Sequence, residues 1–189
     1  LLSENIETRN SGFKNIVITD PAGNIVYEYN EIQGMKESFF GFEELENYTE
    51  GSIKISNIYT NNEDYDADVF YVAKSIDKDG LNNIDGFAIE VIDISRISEI
   101  LSNSTYGEGK GYLAVSDGNS CVLNYNGTAV QKIDDVTDSS MRDVFRATVK
   151  PTSSENNVDY NTGSSLGCYN YFTGSSTGGW KWGGGYPGK

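Results

Sequence analysis

Short apolar, β-branched runs recur along this chain, and breaks rich in Asp, Asn and Gly divide them. FKNIVITD (13–20) predicts a strand, Pro21 to Asn24 a turn, and IVYEYN (25–30) the returning strand. GMKESFFGFEELENYTEG (34–51) changes period. Met35, Phe39, Phe42, Leu45 and Tyr48 approximate helical spacing, with Gly41 interrupting it, so one or two short helices or a partly helical loop are expected. SIKISNIYT (52–60) alternates Ile53, Ile55 and, after a slip, Ile58. ADVFYVAKSI (67–76) and GFAIEVIDI (86–94) are nearly continuous β formers. SRISEILSNS (95–104) predicts a helix, with Ser95 as cap and Ile97, Ile100 and Leu101 as its apolar stripe. This order fits a five-stranded antiparallel sheet with helical connections over one face.

The pattern then restarts. LAVSDGNSCVLNYN (113–126) repeats the apolar run, the Asp-led turn and the second β run of IVITDPAGNIVYEYN (16–30), with Asp117 in the place of Asp20. SSMRDVFRATVK (139–150) predicts a helix. Ser140 and Asp143 form its capping signal, and Met141, Val144, Phe145 and Val149 form its stripe. SLGCYNYFTG (165–174) and GGWKWGGGYPG (178–188) supply later strands, and this module is expected to be short of a strand between Phe172 and Trp180. A period near a hundred residues indicates duplicated domains, since solenoid repeats are shorter and more numerous. Leu1, Leu2 and Ile6 fit the last turns of a helix that starts outside the chain, ending at Ser11-Gly12. The chain is therefore expected to be a fragment of something longer.

Charge narrows the functional classes. There are 14 basic against 28 acidic residues, net −14, which repels phosphate backbones and anionic lipid. An aromatic content of 12% argues for a folded core. With no histidine, the Ser-His-Asp triad, the Cys-His dyad and His-rich metal sites are excluded. No apolar run approaches the ~20 residues needed to span a bilayer, and no signal peptide is visible. Cys121 and Cys168 could join in a disulfide if their strands are neighbours, or be two buried small hydrophobes. Asp77, Asp79, Asn83 and Asp85 offer hard oxygens in one loop, but the order of an EF-hand is not met, and a solvated hairpin loop is expected. No metal or cofactor is expected. Three Asn-x-Thr patterns, such as Asn126-Gly127-Thr128, match the glycosylation signal by chance.

These strings, in this order, resemble the double Cache sensor domain, two PAS-like modules in tandem found outside the membrane in bacterial receptors. NIVITDPAGNIVYEY is similar to the first hairpin of its membrane-distal module. KESFFGFEEL sits at an Arg-x-aromatic-aromatic element of that family, and VFYVAKSIDKDG with IDGFAIEVIDISRISEIL at its last hairpin and exit helix. GEGKGYLAVSDGNSCVLNYNG resembles the first hairpin of the membrane-proximal module, and GCYNYFTG with GGWKW its later strands. The resemblance implies an α+β fold of two modules, each a sheet of about five strands with helical segments on one face. Its divisions are 1–12 (helix end), 13–94 (distal module), 95–110 (connecting helix and loop) and 111–189 (proximal module, reduced or missing residues).

It also implies a non-catalytic, extracytoplasmic ligand-binding domain of a chemoreceptor, histidine kinase or cyclic-dinucleotide enzyme. Flanking membrane helices would anchor it, and the intact receptor could be a homodimer. The small-molecule ligand is expected between the distal sheet and its covering segment. Phe39, Phe40, Tyr59 and Tyr71 would supply walls, and Lys36, Glu37, Asn61 and Lys74 direction. Aligned on Phe39-Phe40, the position where amino-acid-binding members carry an arginine is Glu37, so the carboxylate clamp of those members is not at its expected place. Two other classes stay open. Tyr160, Tyr169, Tyr171, Trp180, Trp182 and Tyr186 would suit a cell-surface carbohydrate-binding or adhesive domain. A carboxylate pair in a cleft would suit a glycosidase.

Overall fold

The computed structural model describes residues 12–31, 36–45, 53–78, 80, 83–103, 112–146, 159–163, 168–174 and 180–187; at 112, 140, 144 and beyond 146 it describes backbone alone, Trp180 excepted. The expected helix end at Leu1 to Ser11 lies outside these residues. The chain divides into two compact units, Leu1–Ile94 and Ser95–Lys189. Among the described residues no helix is long and apolar enough to cross a membrane.

The first unit is a wholly antiparallel sheet. Its strands are β1 (Phe13–Thr19), β2 (Ile25–Glu28), β3 (Ile53–Ile55), β4 (Tyr59–Asn62), β5 (Ala67–Ile76) and β6 (Gly86–Asp93). They lie in the order β2-β1-β6-β5-β3, and β4 continues along β5 beyond β3. The first strand of the unit therefore lies against its last, in a register of Val17 with Ile89 and Asn15 with Val91. The run expected as one strand over 52–60 is two short ones, broken where the alternation slips. There Ser56 replaces a rung of the ladder. Its backbone N–H donates to Tyr71 O (3.0 Å), and its Oγ accepts the Tyr71 N–H (2.9 Å).

Period-two alternation sets the two faces of this sheet. Val17, Val69, Tyr71, Ala73, Phe87, Ile89 and Val91 are buried on one face and form the core, with Phe39, Leu45 and Tyr65 packed onto them. The covering segment is less helical than its spacing suggests. Ser38 bridges Asn24 as in a strand, and a single 3-10 turn, Phe42–Glu44, follows; residues 46–52 lie outside the description. Aromatic packing onto the sheet, rather than helical hydrogen bonding, fixes these positions.

The second unit has its own six-stranded antiparallel sheet: β7 (Tyr112–Ser116), β8 (Cys121–Tyr125), β9 (Thr128–Lys132), β10 (Asp159–Gly163), β11 (Cys168–Gly174) and β12 (Lys181–Pro187), in the order β10-β11-β12-β7-β8-β9. Here too the first strand lies against the last. Two strands go beyond the sequence reading. β9 follows a tight Asn126-Gly127 turn with both residues at positive φ, which is the commonest two-residue hairpin turn. β10 is a polar edge strand. It adds a strand at Asp159–Gly163, upstream of the gap noted between Phe172 and Trp180, of which residues 175–179 lie outside the description.

Helices α1 (Ser95–Asn103) and α2 (Ser139–Arg146) belong to this unit. α1 packs along β7–β9 through buried Ser98, whose hydroxyl donates to Ala129 O (3.3 Å). Ile100, expected on the apolar stripe, is 55% exposed. The buried arc is turned from the predicted one, because a nine-residue helix with three apolar residues leaves its rotation to tertiary contacts. α2 buries Met141 and Phe145 beside Ile133 and Tyr125. Asp138, rather than Ser140, caps it: its carboxylate accepts the Met141 N–H (3.3 Å).

The repeated hairpins are built alike. In each, the aspartate N–H donates to the carbonyl four residues on, Asp20 to Asn24 (2.9 Å) and Asp117 to Cys121 (3.1 Å), and its carboxylate gathers N–H groups of the turn. Gly23 and Gly118 supply the positive φ that each turn needs. The two cysteines, by contrast, cannot meet. β12 and β7 separate β11 from β8, so at least three strand spacings, about 14 Å, lie between Cys168 and Cys121, beyond disulfide reach.

Candidate functional site

The covered face of the first sheet gathers four of the residues singled out from the sequence. Phe39, Phe40, Tyr59 and Tyr71 form one ring cluster, joined by Tyr65. Phe40 is its hub, with centroids 4.5 Å from Phe39, 4.9 Å from Tyr59, 5.9 Å from Tyr65 and 6.2 Å from Tyr71. Most contacts are edge to face, as ring quadrupoles favour. Phe39 and Tyr71 are buried, whereas Phe40 and Tyr59 are half-buried.

Two phenol hydroxyls tie the covering segment to the sheet. Tyr71 OH donates to Gly41 O (2.7 Å), and Tyr59 OH donates to Glu44 Oε1 (2.6 Å). Glu44 Oε2 in turn accepts the Asn57 N–H (3.3 Å). Gly41 is required at this contact, since any Cβ there would fall on the Tyr71 ring. Burial raises the pKa of Tyr71, and the nearby Glu44 carboxylate adds to it; burial and the hydrogen bond to Glu44 do the same for Tyr59.

The other four positions are not part of this cluster. Lys36 and Glu37 are exposed on the approach to the covering segment, where Glu37 O accepts the Ile25 N–H (2.7 Å). Asn61 is exposed on β4 at positive φ, and its N–H donates to Asp68 Oδ1 (2.7 Å). Lys74 is exposed and three residues from Tyr71, so strand parity assigns it to the opposite face of the sheet.

Sequence reasoning missed a polar group beside the rings. Tyr65, in the acidic turn between β4 and β5, is only 8% exposed, and its hydroxyl is buried beside the Asn15 amide without a hydrogen bond of good geometry within the described chain. Burial pushes its pKa up to about 12, the Glu28 and Asp64 carboxylates act in the same direction, and the Asn15 amide pulls the other way. Asn15 is fully buried on the core face of β1, held by Asn30 N (2.8 Å) and Asn30 O (3.0 Å), with Glu28 Oε2 at 3.4 Å. The available signals were an asparagine at a core-parity position of a β-branched run and a lone tyrosine in an acidic turn. Thr19 Oγ1 is a second buried hydroxyl lacking a partner in the described chain.

Charge is divided unevenly. Residues 1–94 hold 19 acidic and 6 basic side chains, net −13; residues 95–189 hold 9 and 8, net −1. In the 77–85 loop, Asp77 and Asp85 accept the Gly80 and Lys78 N–H groups (both 2.8 Å). Among the described residues no cluster has the makings of a metal site. The side chains of Tyr160, Tyr169, Tyr171, Trp182 and Tyr186 lie outside the description.

No family model and no curated protein matches this chain. Solved structures do. The ligand-binding domain of the Pseudomonas fluorescens chemoreceptor CtaA, in complex with L-serine, matches with a TM-score of 0.58 at 14% identity, over 93% of this chain and 73% of that one. The ligand-binding domain of the Pseudomonas aeruginosa PAO1 amino acid chemoreceptor PctC, with GABA, gives 0.58 at 12% identity, over 93% and 74%. The extracellular domain described as that of the histidine kinase rpHK1S-Z16 gives 0.63 at 13% identity, over 98% and 73%. These neighbours are sensor and ligand-binding domains rather than catalytic ones. The chain has the Cache-type fold of the extracellular ligand-binding domains of chemoreceptors and histidine kinases.

Proposed function

We propose that this chain is the extracytoplasmic sensing part of a bacterial transmembrane signalling receptor, built as two tandem PAS-like modules, and that a small molecule binds the first. The observation that carries this reading is the ring-lined layer between the first sheet and segment 38–45. There Phe40 stays half-buried at the centre of the cluster, while the neighbouring Tyr65 hydroxyl is buried beside the Asn15 amide. A site with apolar walls and a few directed polar groups is what a metabolite needs. Lys36, Glu37 and Asn61 are candidates for its rim. Lys74, on the other face, is not.

In this reading the ligand bridges sheet and cover. It favours one arrangement of segment 38–45 only as far as its affinity for the two arrangements differs. The bonds Tyr71–Gly41 and Tyr59–Glu44 set the resting arrangement, and the signal leaves through the chain that continues from β6 into α1. Membrane anchoring by flanking helices and dimerisation belong to the intact receptor.

A thermal-shift screen against amino acids, amines, carboxylates, purines and sugars tests the reading, because a ligand selective for the native state raises Tm. The expected result is a shift that Phe40→Ala removes while the circular dichroism spectrum is kept. A screen in which no compound raises Tm rejects it.

A further inference from the structure

The central strands of the first sheet are apolar on both faces. VFYVA in β5 and FAIEVI in β6 scarcely alternate with polar residues, a pattern that suits strands covered on two sides. One side is the core with its ring layer. On the other, register aligns Phe13, Ile92 and Phe70 in one row and Ile16, Glu90, Val72 and Ile55 in the next. Tyr27, Ile18, Ala88, Lys74 and Ile53 form a third. Burial falls along these rows. Phe70 is 7% exposed, Ile16, Val72 and Ile55 are half-buried, and Tyr27 and Ile53 are 52% and 49% exposed. Both described helices pack on the second sheet, which leaves this face without a described helix of its own.

The twin unit shows what such a face takes. In β8, Val122 belongs to the core under α2, and Leu123, on the opposite face, is fully buried as well. α1 packs along β7–β9 there, and its Ser102 Oγ comes within 3.5 Å of Asn124 Oδ1, beside Leu123. Counted from the paired aspartates Asp20 and Asp117, Val26 stands where Leu123 does, and it is 63% exposed. α1 precedes the first hairpin of the second unit. Residues 1–11 precede that of the first, with Leu2 and Ile6 at a spacing that shares one helix face.

We propose that residues 1–11 dock as a helix on the second face of the first sheet, the place that α1 takes on the second, with Leu2 and Ile6 toward the rows of Phe70 and Val72. The chain joins β1 through Gly12, whose carbonyl accepts the Asp93 N–H (2.7 Å) beside the most buried row. Eleven residues make about 16 Å of helix. That spans the three central strands, about 10 Å across, and leaves the edge strands open at Tyr27 and Ile53. A second copy of the chain suits this face less well, because the unit's net charge of −13 repels its like.

Hydrogen exchange and thiol labelling of the whole chain test this. Amides of residues 3–11 should exchange about tenfold or more slower than those of a free peptide of the same sequence. A cysteine placed by Val72→Cys should be alkylated about tenfold faster once Leu2→Ser and Ile6→Ser are added. One placed by Lys74→Cys, in the open row, should react equally fast in both backgrounds. Peptide masses separate these sites from Cys121 and Cys168. If Val72→Cys fails to fold, Ile16→Cys reports on the same row. Residues 3–11 exchanging like the free peptide, or labelling in that row that ignores Leu2→Ser and Ile6→Ser, overturns the proposal. Protection that depends on protein concentration, with a dimer in sedimentation, gives the face to a second copy and overturns it too.

Discussion

The Tyr71 hydroxyl donates to the carbonyl of Gly41, thirty residues earlier in the chain, at 2.7 Å, and the two are packed so closely that residue 41 has no room for a side chain. This contact and the Tyr59–Glu44 bond together set the height of the covering segment above the sheet. Gly41→Ala should cost about 1–3 kcal/mol through overpacking, and Tyr71→Phe about 1–2 kcal/mol by leaving a buried carbonyl unmatched. Urea unfolding of the single and double variants should give non-additive losses, because both act on one contact. Additive losses would show that the segment is held elsewhere.

Alkaline pH should loosen the first unit. Tyr59, Tyr65 and Tyr71 all have raised pKa values in the folded state, chiefly from burial, that of Tyr65 being about 12. In the unfolded chain a phenol ionises near pH 10. Above that pH the unfolded state binds fewer protons than the native state, so stability falls as pH rises. The contribution is fully present below about pH 10 and is lost progressively toward pH 12. Urea midpoints at about pH 9 and 11 should differ, and Tyr65→Phe should reduce the difference. Equal midpoints would contradict the burial of these rings.

The twin hairpins make a paired prediction. Asp117 is 2% exposed, and its Oδ1 accepts the N–H groups of Asn119, Ser120 and Cys121. Asp117→Ala should cost about 3 kcal/mol, since those donors lose a charged acceptor away from water. Asp20 makes comparable bonds in solvent, where water replaces them. Asp20→Ala should therefore lower Tm much less. A larger effect at Asp20 would reverse the assignment of burial.

The cysteines offer a simple check. With two strands between them, both should be present as thiols. Alkylation in denaturant without reductant should add two groups by mass. A product that alkylates only after reduction would contradict the strand order of the second sheet.

Much of the backbone was legible in the residues. The limits of β5 match the ADVFYVAKSI run, because consecutive β-branched and aromatic residues disfavour anything but an extended chain. The Asp-led turns were legible for the same local reason. β10 was not: its sequence is polar, and an edge strand needs no apolar face to be held by its neighbour. The β9 hairpin was announced by Asn126-Gly127, a turn signal read instead as part of a glycosylation pattern.

The candidate site was legible in part. Phe39 and Phe40 stood out as an aromatic pair, and strand spacing put Tyr59 and Tyr71 near them. Which charged residues share their face was not, because a single step in strand register moves a side chain to the other side of the sheet. Lys74 is lost to the site in this way. Tyr65, Asn15 and Glu28 enter it from three different segments.

By itself, then, the order of residues determined where this chain extends, where it turns, and that one hairpin is made twice, since these follow from steric preferences within a few neighbouring residues. Tertiary structure alone decided which strands adjoin, how α1 is rotated, and which phenols are buried. Those outcomes depend on contacts between segments far apart in the chain, whose free energy exists only once the whole sheet has formed.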